Sequence, residues 1–315
     1  MTKYPSYEII IVDNGSTDGS LESIRKLIFE SSNISLIPLT HNIGVTRATN
    51  IGIAQAKGDF IATLNSDTLV DPHWLSELVR AIRSHPQWGA AQCKLLSYSD
   101  PRIIDSTGCD LDICGHSAER GLKEVDYGQY DSKQEIFSAG LPASIFPRKL
   151  LEHVGLFDSD FFAGYEDADL SWRIRLSGHR ICYVPNAVVY HKRSATSNSS
   201  GTLKAFVSWN FAKNWLAMLI KNYSFGTLVR ISHRIILTET LGLTGYLFLG
   251  NKEGRLISLR ALAWNAINLR KTMAKRARVQ EFVRKVRDRE IMILMQRPCV
   301  LIERRREYVG RLRAN

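Results

Sequence analysis

Long uncharged apolar runs are missing from this 315-residue chain. None reaches the roughly 18 residues that a membrane-crossing helix needs, and the longest candidate, residues 240–251, is about a dozen long. Cysteine is sparse and unpatterned. The five residues Cys93, Cys109, Cys114, Cys182 and Cys299 form no CxxC pair, which speaks against a zinc ribbon or a disulfide framework and for ordinary thiols in a reducing compartment. Neither GxGxxG nor a Walker sequence occurs, so dinucleotide and P-loop readings have no support. Acidic residues are scarce in one part only. Residues 192–315 carry 7 Asp and Glu against 25 Lys and Arg, whereas residues 1–191 carry 24 against 17. A basic back half suits nucleic acid or an anionic membrane surface, but no helix-turn-helix, zinc or RNP pattern accompanies it, which disfavours nucleic acid.

What is present is an alternation of strand and helix signals through the first two hundred residues. YEIIIVD at residues 7–13 reads as a fully buried strand, because four consecutive apolar residues leave no solvent face. Residues 34–39, 60–64 and 89–96 read as further strands, and residues 180–184 and 187–190 supply more. Between them, Asp71 and Pro72 open a helix whose apolar stripe is Leu75, Leu78, Val79 and Ile82. Such alternation predicts an α/β domain with a mainly parallel sheet.

Ligand sites in such sheets lie beyond the carboxyl ends of the strands. Here those ends read Asp13-Asn14-Gly15-Ser16, Asn65-Ser66-Asp67 and His191. In extended chain Asn65 and Asp67 share a face, and two oxygen-bearing side chains suit a hard divalent cation, although a turn with a helix cap explains them equally well. His191 alone reads equally as a surface or packing residue. In FFAGYEDADLSWRIR, residues 161–175, three acids sit beside aromatic side chains. One acid, Asp169, suffices to cap the helix that follows, which leaves Glu166 and Asp167 as a pair whose pKa could be raised as a general base requires; a solvated acidic helix start is the alternative. HNIGVTRATNIGIAQAKG, residues 41–58, reads as a loop entering a short helix, with Arg47 able to answer a phosphate.

In this order, these segments resemble glycosyltransferase family 2, the inverting nucleotide-sugar transferases of the GT-A fold, and among them the rhamnosyltransferase-like branch. The resemblance runs from Tyr7 to His191. It implies that Asp13, with Asn14, Asn42, Arg47, Asn50, Asn65 and Gly140, binds the nucleotide-sugar. It implies that Asp67 and His191 hold a divalent cation, Mg²⁺ or Mn²⁺, with Asn65-Ser66-Asp67 in the place of the family's DxD. Asp167 corresponds to the base that deprotonates the acceptor hydroxyl, with Glu166 and Trp172 on the acceptor side. The expected reaction is inverting transfer of a sugar, rhamnose among the candidates, to a cell-surface polysaccharide or lipid-linked acceptor.

Family members ordinarily begin with a strand and helix ahead of the YEIIIVDN strand, whereas only MTKYPS precedes it here. The resemblance therefore implies either a start assigned too late or a truncated copy, inactive yet retaining part of its nucleotide-sugar binding. The expected organisation is a GT-A-like catalytic domain over residues 1–200 and a helical, basic region over 201–315. In that region aromatic and leucine residues alternate with cations, as in a helix lying in an anionic membrane interface. This predicts a peripheral protein on the inner face of the cell membrane, with a helical cap packed on the catalytic domain as the alternative.

Overall fold

A computed structural model describes residues 2–28, 33–193, 201–248 and 250–296. Cys299 and the Arg304–Arg306 run lie outside the described residues. The chain opens with β1 (Ile9–Asp13), α1 (Ser20–Ile28), β2 (Ile34–Pro38) and α2 (Val45–Gln55), continues through β3 (Phe60–Leu64), β4 (Thr68–Val70) and α3 (Trp74–Ser84), and enters the long strand β5 (Trp88–Ser97). Short strands β6 (Ile104–Ser106), β7 (Cys109–Leu111) and β8 (Ser117–Glu119) precede β9 (Ala143–Pro147), α4 (Arg148–Val154), α5 (Glu166–Leu176) and β10 (Arg180–His191). Helices follow: α6 (Gly201–Asn222), α7 (Phe225–Phe248), α8 (Lys252–Ile267), α9 (Leu269–Arg278), a π-helical turn over Val279–Val283, and α10 (Asp288–Met292).

The main sheet has the order β3-β9-β5-β10-β4, with β6 on β5. It is mixed: β5 and β10 run parallel, whereas β3–β9, β5–β9 and β10–β4 are antiparallel. The α/β architecture is the one expected, but the sheet is not mainly parallel, because the polar connections around β4 and β9 reverse the chain instead of crossing over with a helix. β10 is one strand where two were expected. Pro185 cannot donate to a ladder, yet a register shift between Val184 and Val188 absorbs it and pairing with β5 resumes.

β1 corrects the expectation of full burial. Among the described residues it pairs only with β2, in parallel, as a separate two-stranded sheet. Its apolar run is half-buried and Ile9 is 38% exposed. α3 begins at Trp74, two residues later than read. Asp71 caps the preceding turn by accepting from the His73 amide at 2.8 Å, and the stripe Leu75, Leu78, Val79 and Ile82 packs on β5 and β10 as expected.

The second core gathers Phe137, Phe146, Phe161, Trp172 and Ile174 with Trp215, Met218 and Leu219 of α6 and with Tyr223 just beyond its end. Tyr223 meets Trp172 edge-on, with ring centres 4.6 Å apart. α6 thus shares its buried face with α5. Charge joins them too. Asp169 is fully buried and is no helix cap, since Tyr165 holds that position. Its Oδ2 accepts from Arg173 Nε and Nη2, both at 3.1 Å, and its Oδ1 from Asn222 Nδ2 at 2.9 Å, with Lys221 Nζ also 2.9 Å away. Lys221 and Lys275 both reach Asp158, and although burial opposes it, these two ammonium groups hold that carboxyl well below its usual range. No helix among the described residues is long and apolar enough to cross a membrane.

Candidate active site

β3 delivers Asn65 to a tight turn in which the Asn65 carbonyl accepts from Thr68 Oγ1 at 2.6 Å, while the Asn65 amide donates to Pro142 O at 3.0 Å. The turn leaves Asp67 facing the end of β10. Asp67 Oδ1 lies 3.3 Å from His191 Nε2, so the two residues expected to share a cation are brought together. The Lys192 amide also donates to Asp67 O at 2.9 Å, clipping the two chain ends to each other.

Behind His191 stands an acid that sequence reasoning missed. Asp105, buried on β6, accepts from His191 Nδ1 at 2.8 Å and pairs with Arg193, which also reaches Glu119. Burial opposes ionisation of His191, but the bond to Asp105 and then the charges of Asp105 and Asp67 outweigh it and raise its pKa. A bond at Nδ1 turns Nε2 toward Asp67, the arrangement in which an outer carboxylate orients a ligating imidazole. The available signal was RIID at residues 102–105, a short apolar run ending in a carboxylate like the other strand ends.

Asp167 sits in the first turn of α5. Its Oδ1 accepts from the Ala168 amide at 2.7 Å. Gly140 faces it: a Cβ added there would lie in ordinary contact, 3.8 Å from Asp167 Oδ2 and 3.6 Å from Gln92 Oε1, and would occupy the space beside the carboxyl. The Gly140 amide donates to Gln92 Oε1 at 2.7 Å, which fixes the loop. The carboxyls of the dyad are enclosed, although each residue keeps some exposed surface. Burial raises Asp167 to about 6; the charge of Glu119 adds to this and the bond from the Ala168 amide opposes it. Burial and then the charge of Asp167 raise Glu166 to about 8. Glu166 Oε2 is buried without a hydrogen-bond partner. Enclosure thus raises both carboxyls of the pair, Glu166 more than Asp167.

The remaining predicted residues divide. Asp13 is 5% exposed at the end of β1, and its Oδ2 accepts from the Ser16 amide at 3.3 Å. Asn14 Nδ2 donates to Asn42 Oδ1 at 3.1 Å, and these side chains cradle the amides of Ile43 and Gly44. Arg47 and Asn50 are turned to the protein itself. Arg47 Nε donates to Ser159 O at 2.9 Å, and Asn50 exchanges two bonds with the Phe157 backbone. α2 is thereby tied to the loop that leads into the dyad, and the Val45 amide adds a bond to Phe162 O at 2.8 Å. Trp172 is 0% exposed, packed edge-on against Phe137 and Tyr223, and offers no surface to an acceptor. It faces inward because α5 is buried along its whole length past Asp167.

A cleft of about 1070 Å³ is lined by Asp110, Glu119, Arg120, Tyr130, Glu135 and Arg180 among others; Glu119 is the residue that also pairs with Arg193.

The family model described as glycosyl transferase family 2 matches residues 2–104, and that of glycosyl transferase family group 2 matches residues 60–264. The poly-beta-1,6-N-acetyl-D-glucosamine synthase of Staphylococcus aureus (strain COL) is 30% identical over 196 residues, which are 60% of this chain and 43% of that protein. The uncharacterized protein y4gI of Sinorhizobium fredii (strain NBRC 101917 / NGR234) is 26% identical over 209 residues, 64% of this chain and 23% of that one. The chain spans less than half the length of these curated relatives. The crystal structure of GalNAc-T7 with UDP, GalNAc and Mn²⁺ superposes with a TM-score of 0.53 at 16% identity, over 68% of this chain and 41% of that one, a likeness of fold.

The raised carboxyl of Asp167 has a consequence for stability. A folded-state pKa above the unfolded value means that the parent chain loses stability as pH rises from about 4 through about 6. Asp167→Asn keeps an oxygen for the Ala168 amide and does not titrate. Thermal melts should show the variant more stable than the parent at pH 8 and equal to it near pH 4; a gain independent of pH, or a loss at pH 8, contradicts the assignment.

Proposed function

This chain belongs to the family 2 glycosyltransferases, and on that premise we propose that it moves a sugar from a nucleoside diphosphate donor to a saccharide or lipid-linked acceptor with inversion at the anomeric carbon. The reading is carried by the loop of Gly140 and Pro142, which packs against the enclosed, raised carboxyl of Asp167 and is bonded to Asn65, two residues ahead of the Asp67 that meets His191. The resemblance of the ordered motifs to the rhamnosyltransferase-like branch favours a deoxyhexose, and the S. aureus relative makes an N-acetylhexosamine the competing donor sugar.

Asp67 Oδ1 and His191 Nε2 fit a divalent cation. They converge on one spot, Asp105 orients the imidazole, and no third His, Cys, Asp or Glu completes a closed protein cage among the described residues. Mg²⁺ and Mn²⁺ accept one or two protein ligands when diphosphate and water supply the rest. Such a cation, when bound, neutralises charge on the departing diphosphate. Asp13 and Asn14 would hold the nucleoside end. Gly140 leaves room for the donor sugar beside Asp167, which takes the proton of the attacking acceptor hydroxyl. Glu166 stands beside it in the same enclosure, its carboxyl raised by burial and by the charge of Asp167. Single displacement requires no covalent enzyme intermediate, so no separate nucleophile is needed.

The acceptor side is proposed to lie at a membrane surface. α7 leaves Phe225, Val229, Ile236, Leu237 and Leu241 exposed, Phe225 by 75%, and Arg230 and Arg234 are exposed among them. Apolar side chains entering the acyl boundary with cations at anionic headgroups is the interfacial pattern.

Two measurements follow. In calorimetry, Mn²⁺ should strengthen binding of a nucleoside diphosphate, and Asp67→Asn should abolish that strengthening, while Asp167→Asn binds as the parent does but loses transfer by about 10²–10⁴-fold. Cation-independent binding by the parent would remove Asp67 and His191 from the donor site. In vesicle flotation, the chain should rise with anionic but not zwitterionic liposomes at low salt, and Arg230→Glu with Arg234→Glu should release it; equal recovery with both lipids speaks against the charged interface.

A further inference from the structure

Two consecutive residues ahead of the dyad adopt left-handed backbone, Gly164 at φ 86° and Tyr165 at φ 65°. For tyrosine that conformation is uncommon and is kept only where the surroundings enforce it. The enforcement comes from α6. Asn214, fully buried, donates from Nδ2 to Ala163 O at 3.1 Å and to Gly164 O at 2.7 Å, the two carbonyls of the turn. The ring of Phe211 closes on the same turn: a Cβ on Gly164 would come within 2.6 Å of it, and Tyr165 meets it edge-on at 5.7 Å.

The amide of Asn214 is itself oriented. Lys213 Nζ, which has no acceptor, donates to Asn214 Oδ1 at 2.9 Å and to Asp160 O at 2.7 Å, so the NH₂ group must face the turn. Lys213 sits between the rings of Trp209 and Trp264, 5.2 and 4.6 Å from their centres, and the Lys213 carbonyl accepts from Asn265 Nδ2 at 3.0 Å. A continuous chain of contacts therefore runs from α8 through Lys213 and Asn214 to the backbone that ends in Glu166 and Asp167.

We infer that Asn214 is a positioning residue for sugar transfer: it holds the Ala163–Tyr165 turn so that Asp167 is presented to the acceptor hydroxyl, with Lys213 fixing the direction of its amide. The inference rests on the function proposed above. It makes a residue of the basic helical region part of the catalytic apparatus, where composition had suggested a separate unit.

Asn214→Asp tests it without emptying the space, because the new carboxylate gains an ion pair with Lys213 while losing both donors to the turn; Asn214→Ala is the companion. Placement errors of about 1 Å cost on the order of 10² in rate, so kcat of both variants should fall by roughly that factor while the donor KM stays within about twofold. The acid limb of the kcat–pH profile should move to lower pH as Asp167 gains solvent. Hydrogen exchange should quicken over residues 162–169 and stay at parent rates in β5 and β10. Parent-like kcat, pH profile and local exchange in both variants would overturn the inference, as would a loss shared equally by donor KM and by exchange across the sheet. A parent chain that transfers no sugar from any donor sinks the function reading instead. The exchange arm then still decides whether Asn214 holds the turn.

Discussion

A buried carboxylate, Asp169, ties the start of α5 to the end of α6. Asp169 has no access to water, and Arg173, Lys221 and Asn222 supply the hydrogen bonds that water would. Stripping one partner from such a site leaves an uncompensated charge, at a cost of about 3–5 kcal/mol. Arg173 lies on the same helix, but Lys221 and Asn222 lie at the far end of α6. The carboxylate is satisfied only when α6 is docked, and Asp167 sits two residues away on the same first turn of α5. Docking of the helical region and placement of the dyad are therefore one structural event.

That coupling encloses two neighbouring carboxyls whose pKa values are both raised. Glu166 has a buried oxygen without a partner and is pushed up by enclosure and by its neighbour, whereas Asp167 keeps a backbone donor and a less raised pKa. Environments that split a pair in this way yield one group able to accept a proton at neutral pH. Opposite them, Asp67 and His191 meet with Asp105 behind, and Glu119 stands between the two halves: it pairs with Arg193 on the cation side and its charge acts on Asp167.

The local half of this arrangement was legible in the sequence: apolar strands and a helix start announce the residues that terminate them, and of those residues Asp67 and His191 meet in the fold. What was not legible depends on partners far along the chain. Asp105 and Arg193 become meaningful only when β6 and β10 flank β5, and Asn214 only when α6 lies under the Gly164 turn. Trp172 was misread for the same reason: its neighbours look like an acceptor rim in sequence but are a core once Tyr223 arrives. The excess of cations after residue 192 reads from composition as an anionic-membrane surface, with a helical cap packed on the catalytic domain as the alternative. In part it is internal, since Lys221, Lys271 and Lys275 answer Asp158, Asp160 and Asp169 of the acidic front half. Opposite charge excesses in two stretches of one chain can mark a mutual interface as readily as an external partner.

The central claim is that one enclosed carboxylate, facing a cation-and-diphosphate site, drives a single displacement. The anomeric configuration of the product, read by NMR from an α-linked nucleotide-sugar donor, tests this most directly. The account predicts a β-linked product. An α-linked product would mean either two displacements or attack from the face that the diphosphate leaves, and would contradict it.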